Sequence, residues 1–97
     1  MLWMISTMKF TPYFQFARKR PDRVQIKLEW IQQVVDSPEK QELQNDGSIK
    51  KWGYIKEKDK YLRVILLPDK ETIHNAFFDR SYKSWKLNTL QTQIQPL

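Results

Sequence analysis

The residues best suited to chemistry fall in two stretches. In the first, Ser48–Lys56, Lys50, Trp52, Tyr54 and Lys56 alternate on one face of a predicted strand. Ile49, Lys51, Gly53 and Ile55 take the other face. Alternating cations and rings suit nucleic acid, because ammonium groups meet phosphates while aromatic rings stack on bases. The same pattern also suits an amphipathic strand packed on a helix, the commoner use of tryptophan. The second stretch, Lys60–Arg80, holds the only histidine, His74, between Arg63 and Arg80. Imidazole has an ordinary pKa near neutrality, and guanidinium matches the geometry of phosphate. The plainer reading of His74 is a polar strand residue facing solvent.

A sheet must position these groups. Leu62, Val64, Ile65, Leu66 and Leu67 form the most apolar run, rich in branched residues that suit a buried strand. Pro68-Asp69-Lys70 reads as a turn, and Thr72–Phe78 as a second strand pairing back as an antiparallel hairpin. In ideal strands Arg63 shares a face with Tyr61, Ile65 and Leu67. His74 shares one with Thr72, Ala76 and Phe78, leaving Ile73, Asn75 and Phe77 opposite.

Two helices are expected upstream. Thr11 is a candidate N-cap with Pro12 at the first helical position, and Tyr13, Phe16 and Ala17 fall on one face. Arg18-Lys19-Arg20 closes this helix, where cations complement the negative end of its dipole. Asp22, with Gln25 as capping-box partner, opens the second. Val24, Leu28, Ile31 and Val35 make its apolar stripe, Val34 widens it, and Pro38 sets its end near Asp36-Ser37. Glu42–Asn45 is a weak first strand before the Asn45-Asp46-Gly47 turn. The expected fold class is α+β, with two N-terminal helices packed on a three- to four-stranded antiparallel sheet. Residues 1–8 are expected as a disordered or edge extension, 9–84 as one domain, and 85–97 as a polar tail.

Composition narrows the function. The chain has 97 residues, enough for one modest core. The absence of cysteine excludes a disulfide scaffold, and a single histidine argues against a metal centre. Only two glycines are present, so no phosphate-cradling glycine loop exists, and no cofactor is expected. The apolar leading residues are too few for a signal peptide or a membrane span, which points to the cytoplasm. The net charge of +6 suits a polyanionic partner, nucleic acid first, or serves solubility alone.

Four stretches carry a family resemblance. They are Arg20-Pro-Asp-Arg23, Glu29-Trp-Ile31, Asp46-Gly47 with Trp52, and Asn75-Ala-Phe-Phe-Asp-Arg80. Carried by these stretches, over roughly residues 9 to 83, the chain resembles the BrnT-like branch of the RelE/ParE toxin superfamily. The resemblance implies the toxin of a type II toxin–antitoxin pair, an endoribonuclease that cuts RNA without metal. It also implies a cognate antitoxin encoded next door, and it is compatible with a homodimer. On this resemblance His74 serves as general acid or base, while Arg63 and Arg80 neutralise charge on the phosphorane. Arg18, Lys19, Arg20, Arg23, Lys50 and Lys51 hold the backbone, and Trp52 stacks a base. Many related sequences carry a histidine soon after the first strand. Here that neighbourhood reads Pro12-Tyr13-Phe14, which makes Tyr13 a further catalytic candidate. ParE-like relatives act on a protein target, so the alternative is a non-enzymatic nucleic-acid-binding or protein-interaction module of the same fold.

Overall fold

The computed structural model describes residues 8–82. Its elements run β1 (Lys9–Phe10), α1 (Pro12–Ala17), α2 (Leu28–Asp36), β2 (Lys40–Leu43), β3 (Ile49–Ile55), β4 (Lys60–Leu66) and β5 (Thr72–Phe78). The fold is α+β, and the strands form one sheet in the order β1-β5-β4-β3-β2. That sheet is five-stranded and mixed, not three- to four-stranded and antiparallel: β1 lies parallel to β5, while the other pairs are antiparallel. The extra pairing follows from the crossover. A chain that leaves β1, passes through two helices and re-enters at the far edge can lay β1 parallel to the last strand. Residues 1–7 of the expected extension 1–8, the last two residues of the expected domain and all of the expected tail 85–97 lie outside the described residues.

Local chemistry sets α1 as expected at its start. Thr11 Oγ1 accepts the Phe14 N–H at 3.1 Å, and Pro12 occupies the first turn. The buried face differs, however. Phe14 and Ala17 are buried, whereas Tyr13 and Phe16 are 44% and 67% exposed. Phe14 meets Phe10 of β1 edge-on, with ring centroids 5.4 Å apart, so the neighbouring strand selects the face.

The second helix starts later than Asp22. Residues 21–25 form turns in which the Arg20 carbonyl accepts N–H groups of Arg23 and Val24 at 2.9 and 2.8 Å. Lys27 stands at the N-cap, and Val24 is 67% exposed and outside the stripe. The expected Ile31 and Val34 are buried, joined by Trp30, and Leu28 and Val35 pack partly buried against the core. Together with Phe14 and Ala17 of α1, they share one core with Ile49 and Ile55 of β3, Leu62, Val64 and Leu66 of β4, and Ile73 and Ala76 of β5; α2 packs on β3 and β4, and α1 on β5. Gly53 is part of this interface: a Cβ there would stand 2.8 Å from Val34 Cγ2.

A β-bulge interrupts β5. Leu66 pairs with Ile73, Ile65 with Asn75 and Val64 with Ala76, so two residues, His74 and Asn75, stand against Ile65. The extra residue shifts the strand's phase. Ile73 and Ala76, expected on opposite faces, are therefore both in the core, and His74 stays half-buried outside it.

Candidate functional site

The sheet face away from the helices carries a ladder of rings and guanidinium groups. Trp52 of β3 stacks on Tyr82, with centroids 5.2 Å apart and planes at 17°. Arg63 of β4 lies over Trp52 at 5.5 Å and over Phe77 of β5 at 4.9 Å. Arg23, reaching across from the turns before α2, lies over Phe77 at 5.3 Å and donates to Asn75 Oδ1 at 2.9 Å. Strand register explains the order, because Trp52 pairs with Arg63 and Arg63 with Phe77.

Asp79, just past β5, fastens this ladder. Its Oδ2 accepts Arg63 Nε at 3.0 Å, Arg63 Nη2 at 2.6 Å and the Trp52 indole N–H at 3.0 Å. Its Oδ1 accepts the Ser81 N–H at 2.9 Å and the Ser81 hydroxyl at 2.6 Å. Burial opposes ionisation of Asp79, but the hydrogen bonds from Ser81, Trp52 and Arg63 outweigh it and hold its pKa well below the usual carboxylate range. Tyr82 responds the other way: burial, then the nearby Glu39 carboxylate, push its phenol up to about 12. Tyr61 also donates to Glu39, at 3.3 Å.

A second grouping lies at the β1–β5 edge. The His74 and Tyr13 rings stack with centroids 5.2 Å apart and planes at 30°. Thr11 Oγ1 lies 3.2 Å from His74 Nδ1. Helix α1 thus brings together two candidates 61 positions apart, and the Thr11 hydroxyl that caps the helix also holds the imidazole.

The other candidates are dispersed. Phe77 is the partner of Arg63, three residues beyond His74, so Arg63 is roughly 10 Å along the sheet from the imidazole at about 3.3 Å per residue. Arg80 is exposed beyond the far end of β5. Arg18 covers the Phe10 ring at 5.0 Å, and Lys19 and Arg20 are exposed. Lys51 points to the helix side, where its Nζ donates to the Val35 carbonyl at 2.7 Å. Lys50 is half-buried opposite Ile65. Trp52 is 5% exposed, with Tyr82 and Arg63 on its ring.

Sequence reasoning missed the anchoring role of Asp79, although an Asp closing a strand beside paired strands that carry Trp and Arg is suited to a shared hydrogen-bond cluster. Among the described residues no group of three or more His, Cys, Asp or Glu side chains is placed to hold a metal ion. No helix among them is long and apolar enough to cross a membrane. Compared with protein-family models, with curated proteins and with solved structures, the chain matches none.

Proposed function

We propose that this chain binds RNA along its β5 edge and cuts it without metal, as the cytoplasmic toxin of a type II toxin–antitoxin pair. The observation that carries the reading is the His74–Tyr13 stack, with Thr11 3.2 Å from Nδ1. It fixes the orientation of a side chain whose type exchanges protons near neutral pH, and leaves it half-buried at the sheet edge. In the proposed reaction His74 takes the proton of a ribose 2′-hydroxyl. The oxygen attacks the adjacent phosphorus, and the 5′-oxygen leaves with a proton returned from the site. Lys19 and Arg20, exposed after α1, hold the phosphate backbone. The toxin assignment and the neighbouring antitoxin rest on the four resembling stretches of sequence.

A labelled single-stranded RNA incubated with purified protein and a chelator tests the reading. His74→Ala is expected to slow cleavage by about 10²–10⁴-fold, the range of a positioned acid or base, while RNA affinity stays within a few-fold. RNA left intact by wild-type protein, with the antitoxin removed, would overturn it.

The Arg63–Asp79 pair favours a second reading, nucleic-acid binding without cleavage. The guanidinium expected at the phosphorane is already neutralised at 2.6 Å by a carboxylate. That reading expects His74→Ala to bind as wild type and neither protein to cut.

A further inference from the structure

Two adjoining concavities open at the far end of β4 and β5, away from His74. One, of about 260 Å³, is walled by Lys60 and Arg80 but also by Asp59 and Asp79. Its charges cancel. The other, of about 250 Å³, shares Lys60 and Arg80, adds Arg23, and carries a single acid, Asp22. Three cations against one carboxylate leave it with two positive charges.

This second concavity has the parts of an anion site. Lys60 and Arg80 are exposed and can turn inward, and Lys60 Nζ already lies 5.7 Å over the Phe78 ring. Arg23 is fixed, its side chain only 14% exposed and its guanidinium spread over Phe77. The buried Arg23 Nε makes no hydrogen bond among the described residues. The Asp22 carboxylate 3.5 Å from it is 71% exposed, on the rim. Phe77 and Phe78 complete the wall with apolar surface. A guanidinium and an ammonium supply the planar and point-charge donors that phosphate oxygens accept.

We infer that this concavity binds a phosphate ester, and that the ester is a backbone phosphodiester of the single-stranded RNA proposed above, on which the inference therefore rests. Size favours the polymer. Pockets for whole small-molecule ligands span about 300–1,000 Å³, and at about 250 Å³ this concavity falls below that range. Position favours it as well. The site adjoins Phe77 and Phe78, three and four residues beyond His74, or roughly 10–13 Å along β5. One strand lying along β5 passes His74 and then this site, which acts as a remote binding subsite.

The test compares wild type, Lys60→Glu/Arg80→Glu, and Lys70→Glu as a single charge-reversal control at the opposite hairpin end, each checked for folding by its thermal transition. Affinity for a labelled single-stranded RNA is measured against salt, alongside amide NMR shifts on titration with adenosine 5′-monophosphate and with inorganic phosphate. The double variant is expected to lose at least tenfold in affinity and about 1.4 in the slope of log K against log salt, at about 0.7 per single-strand phosphate contact. Lys70→Glu should change affinity less than threefold. RNA binding and slope no more altered in the double variant than in the control would overturn the site, whether or not wild-type protein cuts RNA. RNA neither bound nor cut, with phosphate or the mononucleotide shifting Phe78 and Arg80 amides only in wild type, would support a phosphate site and overturn its RNA assignment with the RNA reading.

Discussion

Trp52 Nε1 donates to Asp79 Oδ2 at 3.0 Å, the same oxygen that receives two N–H groups of Arg63. One carboxylate oxygen thereby ties β3, β4 and the end of β5 on the face without helices. Removing it strands an indole N–H and a guanidinium that is only 21% exposed. Asp79→Ala is therefore expected to cost about 2–4 kcal/mol in guanidinium denaturation, since a buried donor without its partner loses more than a hydrogen bond's net worth. Asp79→Asn, which keeps an acceptor for Trp52, should cost less. Equal stability of Asp79→Ala and wild type would show that the cluster contributes nothing to the fold.

The same carboxylate sets an acid response. Asp79 is held below its ordinary pKa, and Asp69 is lowered to about 2, first by the Thr72 hydroxyl and then by the backbone N–H groups of Thr72 and Glu71. A depressed folded-state pKa means that the unfolded chain binds protons more readily. These groups thus contribute stability that is complete above the unfolded value near 4 and is lost as pH falls below it. Denaturant midpoints should be flat from pH 7 to about 5 and drop steadily from 4 toward 2. In Asp79→Asn the drop should be shallower. A variant with the wild-type slope would remove Asp79 as a source of the acid sensitivity.

Much of the fold was legible because it rests on local rules. The Thr11 cap, the Asp46-Gly47 turn, with Gly47 at φ +91°, and the Pro68-Asp69-Lys70 turn each follow from residue type. The buried face of α1 was not, because six residues hold too few turns for a period to choose between Tyr13–Phe16 and Phe14–Ala17. Nor does alternation foresee a bulge, and the one in β5 alters the neighbourhood of His74. The site was legible in part. His74 and Tyr13 were both candidates, but their contact depends on β1 and α1 docking against β5, a long-range event that no local pattern encodes.

Gly53 offers a packing test of the helix–sheet interface. A methyl group there would come within 2.8 Å of Val34 Cγ2, so Gly53→Ala is expected to cost about 1–3 kcal/mol through overpacking. Val34→Ala alone opens a cavity. The two changes share one space, so the double variant should lose clearly less stability than the sum of the singles. Strict additivity, measured by chemical denaturation, would mean that α2 moves away instead of clashing.

Lys51 separates structural from binding cations. Its Nζ donates to the Val35 carbonyl near the C-terminal end of α2, where a positive charge meets the negative pole of the helix. Lys51→Met should lower stability by about 0.5–1.5 kcal/mol and leave RNA affinity within twofold. A tenfold loss of affinity at wild-type stability would place Lys51 among the phosphate contacts instead.

The Thr11 hydroxyl faces two groups and has one proton. It accepts the Phe14 N–H at 3.1 Å, and His74 Nδ1 lies 3.2 Å away. If the hydroxyl accepts from both, the neutral imidazole carries its proton on Nδ1 and leaves Nε2 free to take one from a ribose hydroxyl, since a neutral ring has one donor and one acceptor. Nitrogen-15 spectra of the neutral imidazole are expected to show the Nδ1–H tautomer, retained in Thr11→Ser and mixed in Thr11→Val. Thr11→Val should also lose about 1 kcal/mol through the missing N-cap, a loss that Thr11→Ser avoids. An Nε2–H tautomer in the wild type would reverse the hydrogen bond, with Thr11 donating to Nδ1. No nitrogen of the neutral ring would then be free to take a ribose proton, and the role of His74 as base would be overturned.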